Sequence, residues 1–165
     1  MRNLIFYFGI SALSSLLYKR VRADTGSTII SQNVYILFKK DGNNFITQEN
    51  ENKIKLFVLD NNKEKELFNY GPKIGIGFNI IKRPNDGASV FLLYGDEGKS
   101  LKSDVKSYII DFNDGSRDTL VLSFRKSKNS LICTSVKHRN KTVWETNSKY
   151  IDGMPWERSI IINKI

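Results

Sequence analysis

The chain has 165 residues, a formal net charge of +9 at pH 7, and 40% hydrophobic residues. It contains one Cys and one His, which excludes an intramolecular disulfide and the common zinc sites, because those sites need three or four Cys, His or acidic ligands. A chain of this length suits one domain that buries enough apolar surface to fold without such cross-links.

The N-terminus has the pattern of a cleavable signal peptide. Arg2 supplies a basic start, an apolar run follows over residues 4–18, and Val21-Arg22-Ala23 places small residues at the usual cleavage positions. The run is shorter than the ~20 apolar residues of a membrane-spanning helix, so we expect cleavage and no membrane span in the mature chain. Basic residues after the run favour the alternative, an uncleaved anchor. We therefore expect a signal peptide at residues 1–23 and a single secreted domain at residues 24–165.

Downstream, the hydrophobic pattern has the period of β-strands. Ile74, Ile76, Phe78 and Ile80 alternate with small or polar residues, and residues 120–124 repeat this alternation. Such a pattern places one apolar face on a core. Other runs rich in strand-forming residues are 29–38, 54–59, 88–94, 105–112, 131–136, 142–144 and 159–162.

Clusters of Asp, Asn and Gly separate these runs. They lie at residues 41–44, 61–63, 84–87, 96–98 and 113–116. Asp and Asn tolerate a positive φ and Gly adopts it at no steric cost, so such clusters suit hairpin turns. The short strands and frequent turns predict an all-β, mainly antiparallel fold, either a small sandwich or a partly open barrel. Residues 101–106 are the one helical candidate.

The sequence offers few groups for catalysis. His138 and Cys133 lie five residues apart along a predicted strand and its turn, which favours a buried Cys and a turn His over a nucleophile–base pair. Asp111, Asp114 and Asp118 are the candidate carboxylates of a hydrolase, which needs two carboxyls roughly 5–9.5 Å apart in a cleft. The loop from Asp111 misses the spacing of a calcium-binding EF-hand loop. We expect no catalytic residue, no metal site and no cofactor.

Two basic clusters flank the predicted strand at residues 131–136. The first comprises Arg125, Lys126 and Lys128, and the second comprises Lys137, Arg139 and Lys141. A strand of ~7 residues would hold them ~20 Å apart, which favours two solvated turns over one nucleic-acid-binding face. We expect no specific nucleic-acid partner, and both clusters are candidate sites for binding a protein partner.

Two further residues near the second cluster are candidates for a role at the surface. Trp144 lies on a short predicted strand, where an exposed Trp would anchor a protein partner and a buried one would fill the core. The neighbouring Val143 points to the opposite face, which favours the core for Trp144. Asn140-Lys141-Thr142 is the only N-x-S/T sequence, so Asn140 is a candidate N-glycosylation site at a predicted turn.

The second half of the chain, about residues 100–165, resembles a known family. Phe124-Arg125, the segment 133–137 and the segment 142–145 are similar to the signature of FAINT domains (frequently associated in Theileria). Residues 150–156 and the closing strand at 159–162 are similar to the tail of that domain. The resemblance implies a secreted or host-exposed protein of a piroplasm parasite. It implies no enzymatic activity, so no catalytic residues carry over.

Together these patterns predict a secreted, non-enzymatic binding or effector module, exported to the host cell or displayed at the parasite surface. Its expected partner is an unidentified host or surface protein, and the sequence does not indicate an oligomeric state. Two other classes stay open. A small β-barrel carrier of an apolar ligand would have a cavity lined by ordered side chains. A carboxylate-based hydrolase would have two carboxyls paired in a cleft.

Overall fold

A computed structural model describes most of the chain after residue 28. The described ranges are residues 29–31, 33–68, 77–95, 104–127, 130–151 and 153–164. The predicted signal peptide, Ile74 and Ile76 of the clearest predicted strand, and Lys128 of the first basic cluster lie outside them. Within these ranges, no helix has the length and apolar character that crossing a membrane requires.

The described residues form twelve β-strands and one short 3₁₀ helix, Glu51–Lys53. The strands are β1 (Ile29–Ser31), β2 (Val34–Lys40), β3 (Asn43–Asn44), β4 (Lys55–Asp60), β5 (Lys63–Leu67), β6 (Gly77–Lys82), β7 (Ser89–Gly95), β8 (Val105–Asp111), β9 (Arg117–Ser127), β10 (Ser130–His138), β11 (Lys141–Glu145) and β12 (Ser159–Asn163). The prediction of an all-β fold is confirmed.

The strands form two sheets. The larger sheet has the order β1-β10-β9-β8-β4-β5, with β11 also paired to β10, and the smaller sheet has the order β12-β2-β7-β6, with β3 paired to β2. The pairings β1–β10 and β12–β2 are parallel and the others are antiparallel. One sheet curls like half of a barrel.

The inner faces of the two sheets share one apolar core. Phe38 of the smaller sheet meets Phe112, which follows β8 of the larger sheet, edge to face with ring centroids 4.9 Å apart. Phe91 contacts Phe38 edge to face at 6.2 Å and stacks on Phe78 at 4.9 Å. Burying an aromatic or aliphatic side chain of this size stabilises a fold by roughly 1.5–3 kcal/mol. The contact between Phe38 and Phe112 joins the two sheets, whereas Phe91 packs against Phe38 and Phe78 within the smaller sheet.

The alternation predicted for residues 120–124 is confirmed on β9. Leu120, Leu122 and Phe124 are buried in the core, whereas Val121 lies between them on the outer face and is half-buried. Phe78 of β6 is also buried, as its own alternation predicted. The phase of both strands could therefore be read from their sequences.

One local prediction was wrong, and one strand was missed. The last residues of the predicted helix at 101–106 begin strand β8, where Lys106 pairs with Leu122 of β9. Pairing with a long neighbouring strand outweighs a weak local helical preference. Strand β5 was not predicted, because its alternating Lys and Glu residues give no apolar face. It forms because β4 offers an edge, with pairs that run from Leu56–Leu67 to Asp60–Lys63.

The segment after β11 covers part of the outer face of the smaller sheet. Leu37, Val90 and Met154 form a second, smaller buried cluster there. Trp156 stacks flat on Tyr35, with ring centroids 4.5 Å apart. The aromatic residues of this tail therefore contribute to packing on that face.

Candidate functional site

The two predicted basic clusters lie at opposite ends of the β9–β10 pair. Arg125 pairs with Ile132, close to the connection between the two strands. Lys137 lies five residues further along β10, which corresponds to about 17 Å of extended chain. The predicted separation of the clusters along the strand is confirmed. The cluster beyond β10 is the better defined of the two.

We call Lys137, Arg139 and Lys141, with the turn that joins β10 to β11, the basic hairpin. Its turn contains two residues, Arg139 and Asn140, with φ values of 49° and 63°. His138 and Lys141 pair across the base of this turn. Two successive residues with positive φ are typical of the tight hairpin turn whose twist matches that of the flanking strands. The three basic side chains are exposed.

Arg139 has an unusual backbone conformation for its residue type. In the described part of the chain, every other non-glycine residue with a positive φ is Asp or Asn. The left-handed region costs a residue with a large side chain about 1–2 kcal/mol relative to Gly. The Arg139 side chain is 50% exposed, and its Nη2 lies 3.6 Å from Oδ1 of Asp118. A contact with a buried carboxylate therefore fixes one side of this guanidinium.

Asp118 is a buried carboxylate at the base of the basic hairpin, with 2% of its surface exposed. His138 Nε2 lies 2.8 Å from Asp118 Oδ1, and Lys164 Nζ lies 3.4 Å from Oδ2. With Arg139, three basic side chains surround one acidic group. A buried charge is costly unless it is paired. Moving the basic side chains away would leave the carboxylate unpaired, so the contacts with Asp118 restrict their positions.

Lys164 reaches Asp118 from the other sheet, since it follows β12. Its side chain is only 5% exposed. The ammonium lies 3.4 Å from the centroid of the Phe112 ring and 4.6 Å from that of Phe45, and it donates a hydrogen bond to Ser116 Oγ at 2.7 Å. Burial lowers the pKa of Lys164, and the attraction of Asp118 opposes this only in part. The ion pair links the two sheets at this end of the core.

His138 was predicted to lie in a turn, and this prediction is wrong. It is the last residue of β10, with 9% of its surface exposed. The cause is a bulge between Cys133 and Ser135, where the register against β9 shifts by one residue. A bulge resets the alternation, so Cys133 and His138 both face inward although an odd number of positions separates them.

Cys133 is buried, as predicted, with 1% exposed. Its Sγ donates a weak hydrogen bond to the carbonyl oxygen of Ser135 at 3.6 Å, whereas the imidazole of His138 is bonded to Asp118. Burial raises the pKa of the Cys133 thiol to about 11. The thiol is therefore protonated at neutral pH.

The other candidate carboxylates take part in local turn structure. Asp111 accepts a hydrogen bond from the backbone N–H of Asn113 at 2.9 Å, and its other oxygen lies 3.4 Å from Nε of Arg117. Asp114 accepts bonds from the backbone N–H of Ser116 at 2.8 Å and from its hydroxyl at 2.5 Å, which lower the pKa of Asp114. Each carboxylate thus has a partner that accounts for its position.

Trp144 lies in the core, as the favoured prediction had it. It is 5% exposed, whereas its neighbour Val143 is 36% exposed. Trp144 pairs with Val136 of β10, and the guanidinium carbon of Arg158 lies 6.0 Å from its ring centroid. Trp144 therefore supports the hairpin from inside and does not offer its ring to a partner.

Asn140 occupies the tip of the basic hairpin and is exposed. Its glycosylation stays a prediction. A glycan at this position would lie between Arg139 and Lys141 and would shield both side chains from a large partner.

Within the described ranges, no group of three or more His, Cys, Asp or Glu side chains could hold a metal ion. Comparisons with protein families, with characterised proteins and with solved structures found no match for this chain. The resemblance to FAINT domains stays a prediction.

Proposed function

We propose that this protein is a non-enzymatic binding module that holds an acidic segment of a partner protein against the basic hairpin. The observation that carries the proposal is the combination of three exposed basic side chains, one on a two-residue turn and one on each flanking strand, with a buried carboxylate, Asp118, at the base of the turn. The predicted export signal and the FAINT resemblance fit a host or surface protein as the partner.

The charges of the basic hairpin are available to a partner. Within the described part of the chain, neither Lys137 nor Lys141 forms an ion pair. Arg139 contacts Asp118 through one nitrogen, and half of its side chain faces solvent. Unpaired cations at an exposed turn attract an acidic segment and speed its approach, most strongly at low salt.

The rigidity of the basic hairpin lowers the entropic cost of binding. Trp144 of β11 is buried in the core, and His138 and Arg139 both contact Asp118. A turn fixed in this way loses little conformational freedom when a ligand binds. This distinguishes the basic hairpin from Arg125 and Lys126, which are equally exposed but have no such support among the described residues.

The same structure gives less support to the two other classes. A carrier of an apolar ligand needs a cavity, but buried side chains of both sheets form one core cluster, and Phe38 and Phe112 meet across it in direct ring contact. A hydrolase needs two carboxyls free to reach a substrate, but Asp118 is buried and Asp114 is bonded to Ser116.

The test is binding of a fluorescent peptide of ten alternating Asp and Glu residues, measured by anisotropy at low and high salt. We expect Arg139→Gly with Lys141→Gln to weaken binding about ten-fold, because one charge at about 6 Å in a water-like medium changes affinity about three-fold. Glycine suits a positive φ, so this variant should keep its melting temperature. Arg125→Gln with Lys126→Gln removes equal charge at the other end of β9 and should change affinity little. Equal losses in the two variants would contradict the proposal, because only overall charge would then matter.

A further inference from the structure

We infer that His138 makes the basic hairpin a pH-sensitive binding site that holds an acidic segment more tightly as the pH falls below neutral. This inference rests on the proposed function. It concerns the only histidine of the chain, located directly below the charges that would contact the partner.

The geometry lets His138 gain a proton without losing its present contact. Its Nε2 lies 2.8 Å from Asp118 Oδ1, and a carboxylate can only accept, so Nε2 carries the hydrogen. Among the described residues, the second ring nitrogen, Nδ1, has no hydrogen-bond partner. Protonation at Nδ1 therefore breaks no bond, and the imidazolium keeps its bond to Asp118.

Charged groups surround His138 from every element packed against it. Asp118 faces it from β9, Arg139 follows it in the turn, and Lys141 pairs with it from β11. Lys164 reaches the same carboxylate from the end of β12. Among the described residues, Asp118 is the one acidic side chain in direct contact with these bases, so its charge is already shared between cations before His138 is protonated.

A proton on His138 therefore adds a positive charge beside Arg139 and Lys141, where an acidic ligand would bind. Histidine is the side-chain type that ordinarily changes charge between pH 5 and pH 8. One added charge about 6 Å from a ligand carboxylate strengthens binding about three-fold in a water-like medium. A second effect acts in the same direction. Once His138 is an imidazolium, it neutralises more of the Asp118 charge, so Asp118 attracts Arg139 less strongly and Arg139 is freer to contact the ligand.

The test measures the affinity of the same Asp-Glu peptide at pH 6.0 and pH 7.5 for the wild type and for His138→Asn. Neither an Asn nor a Gln amide titrates, and the amide nitrogen of Gln, which lies near the position of Nε2, can still donate to Asp118, whereas the shorter Asn does not reach as far. We expect the wild type to bind about three-fold tighter at pH 6.0 and His138→Asn to bind equally at both values. Melting temperatures at both pH values show whether each protein is folded, and His138→Gln serves as a second variant.

The outcomes separate the two proposals. Binding by the wild type that does not change with pH overturns this inference and leaves the proposed function standing. Equal pH dependence in the wild type and in His138→Asn also overturns it, since another group would then be responsible. Absence of binding at both pH values overturns the proposed function and this inference with it. If both His138 variants unfold, NMR of the single imidazole in the wild type decides, because the change in affinity must then follow its titration.

Discussion

Replacing Lys164 by Met should destabilise the fold by about 3–5 kcal/mol, because the buried carboxylate of Asp118 and the hydroxyl of Ser116 lose the amine that reaches them from the other sheet, whether that amine is charged or neutral. Asp118 is 2% exposed, so water cannot take the place of the ammonium. His138 and Arg139 stay as partners on the hairpin side, which places the expected loss near the lower end of the range. Met keeps the length of the side chain and suits the aromatic surroundings formed by Phe45 and Phe112, so the variant tests the loss of the polar group more than a loss of packing.

The assay is urea denaturation followed by tryptophan fluorescence. Lys55→Met is the matched control, because Lys55 also forms an ion pair, with Glu66 at 3.7 Å, but is 55% exposed. An exposed pair contributes about 0–1 kcal/mol, so the control should cost little. The double variant Asp118→Leu with Lys164→Met should recover most of the stability, since an apolar replacement of a buried ion pair is often neutral or stabilising. A loss for Lys164→Met no larger than for Lys55→Met would refute the argument.

The same variant has a defined dependence on pH. Burial lowers the pKa of Lys164 below its ordinary value of 10.5, so the folded state binds fewer protons at this group than the unfolded state between the two pKa values. Stability from this group therefore rises as the pH increases through that interval toward 10.5. The difference in unfolding free energy between wild type and Lys164→Met should widen in alkaline solution. If this difference in unfolding free energy became smaller in alkaline solution, the attraction of Asp118 would outweigh the desolvation of the Lys164 ammonium.

Two further predictions concern the core. Trp144→Ala should lower the unfolding free energy by about 3–5 kcal/mol, because it leaves a large cavity. Val143→Ala on the outer face should cost less than about 1 kcal/mol. Equal losses for the two variants in urea denaturation would contradict the assignment of the two side chains to opposite faces. Cys133, buried and with its pKa raised to about 11, should react with a thiol reagent at pH 8 only as fast as the protein unfolds, and rapid labelling of the folded protein would contradict its burial.

The sequence predicted the features that depend on local alternation. The apolar positions of β9, such as Leu120 and Leu122, lie on the core face as their spacing required. Extending the same alternation by one step places Asp118 inward, and on β12 the step beyond Ile160 and Ile162 places Lys164 inward. The signal for two members of the buried cluster was therefore present in the sequence.

Other features depended on contacts between distant segments. The bulge that turns His138 inward arises from pairing between β9 and β10, and the residue types at Cys133 and Ser135 do not predict it. The meeting of Asp118 with Lys164 requires knowing which sheet each strand joins. Strand β5 likewise exists because of its neighbour and not because of its own pattern. Local periodicity gives the phase of a strand, whereas its partners follow from the topology.

The strongest physical reason to place the site at the basic hairpin is that two energetically costly features, a strained backbone and a buried charge, occur together there. Arg139 occupies a conformation that Gly or Asn would adopt at lower cost, and Asp118 buries a charge where an apolar residue would pack without desolvation. Backbone strain and buried charges that persist together tend to mark positions held for a purpose other than stability. Arg125 and Lys126 carry similar charge on ordinary strand backbone. The cost is concentrated where exposed cations are also held rigidly, which is the arrangement that a binding site for an acidic partner requires.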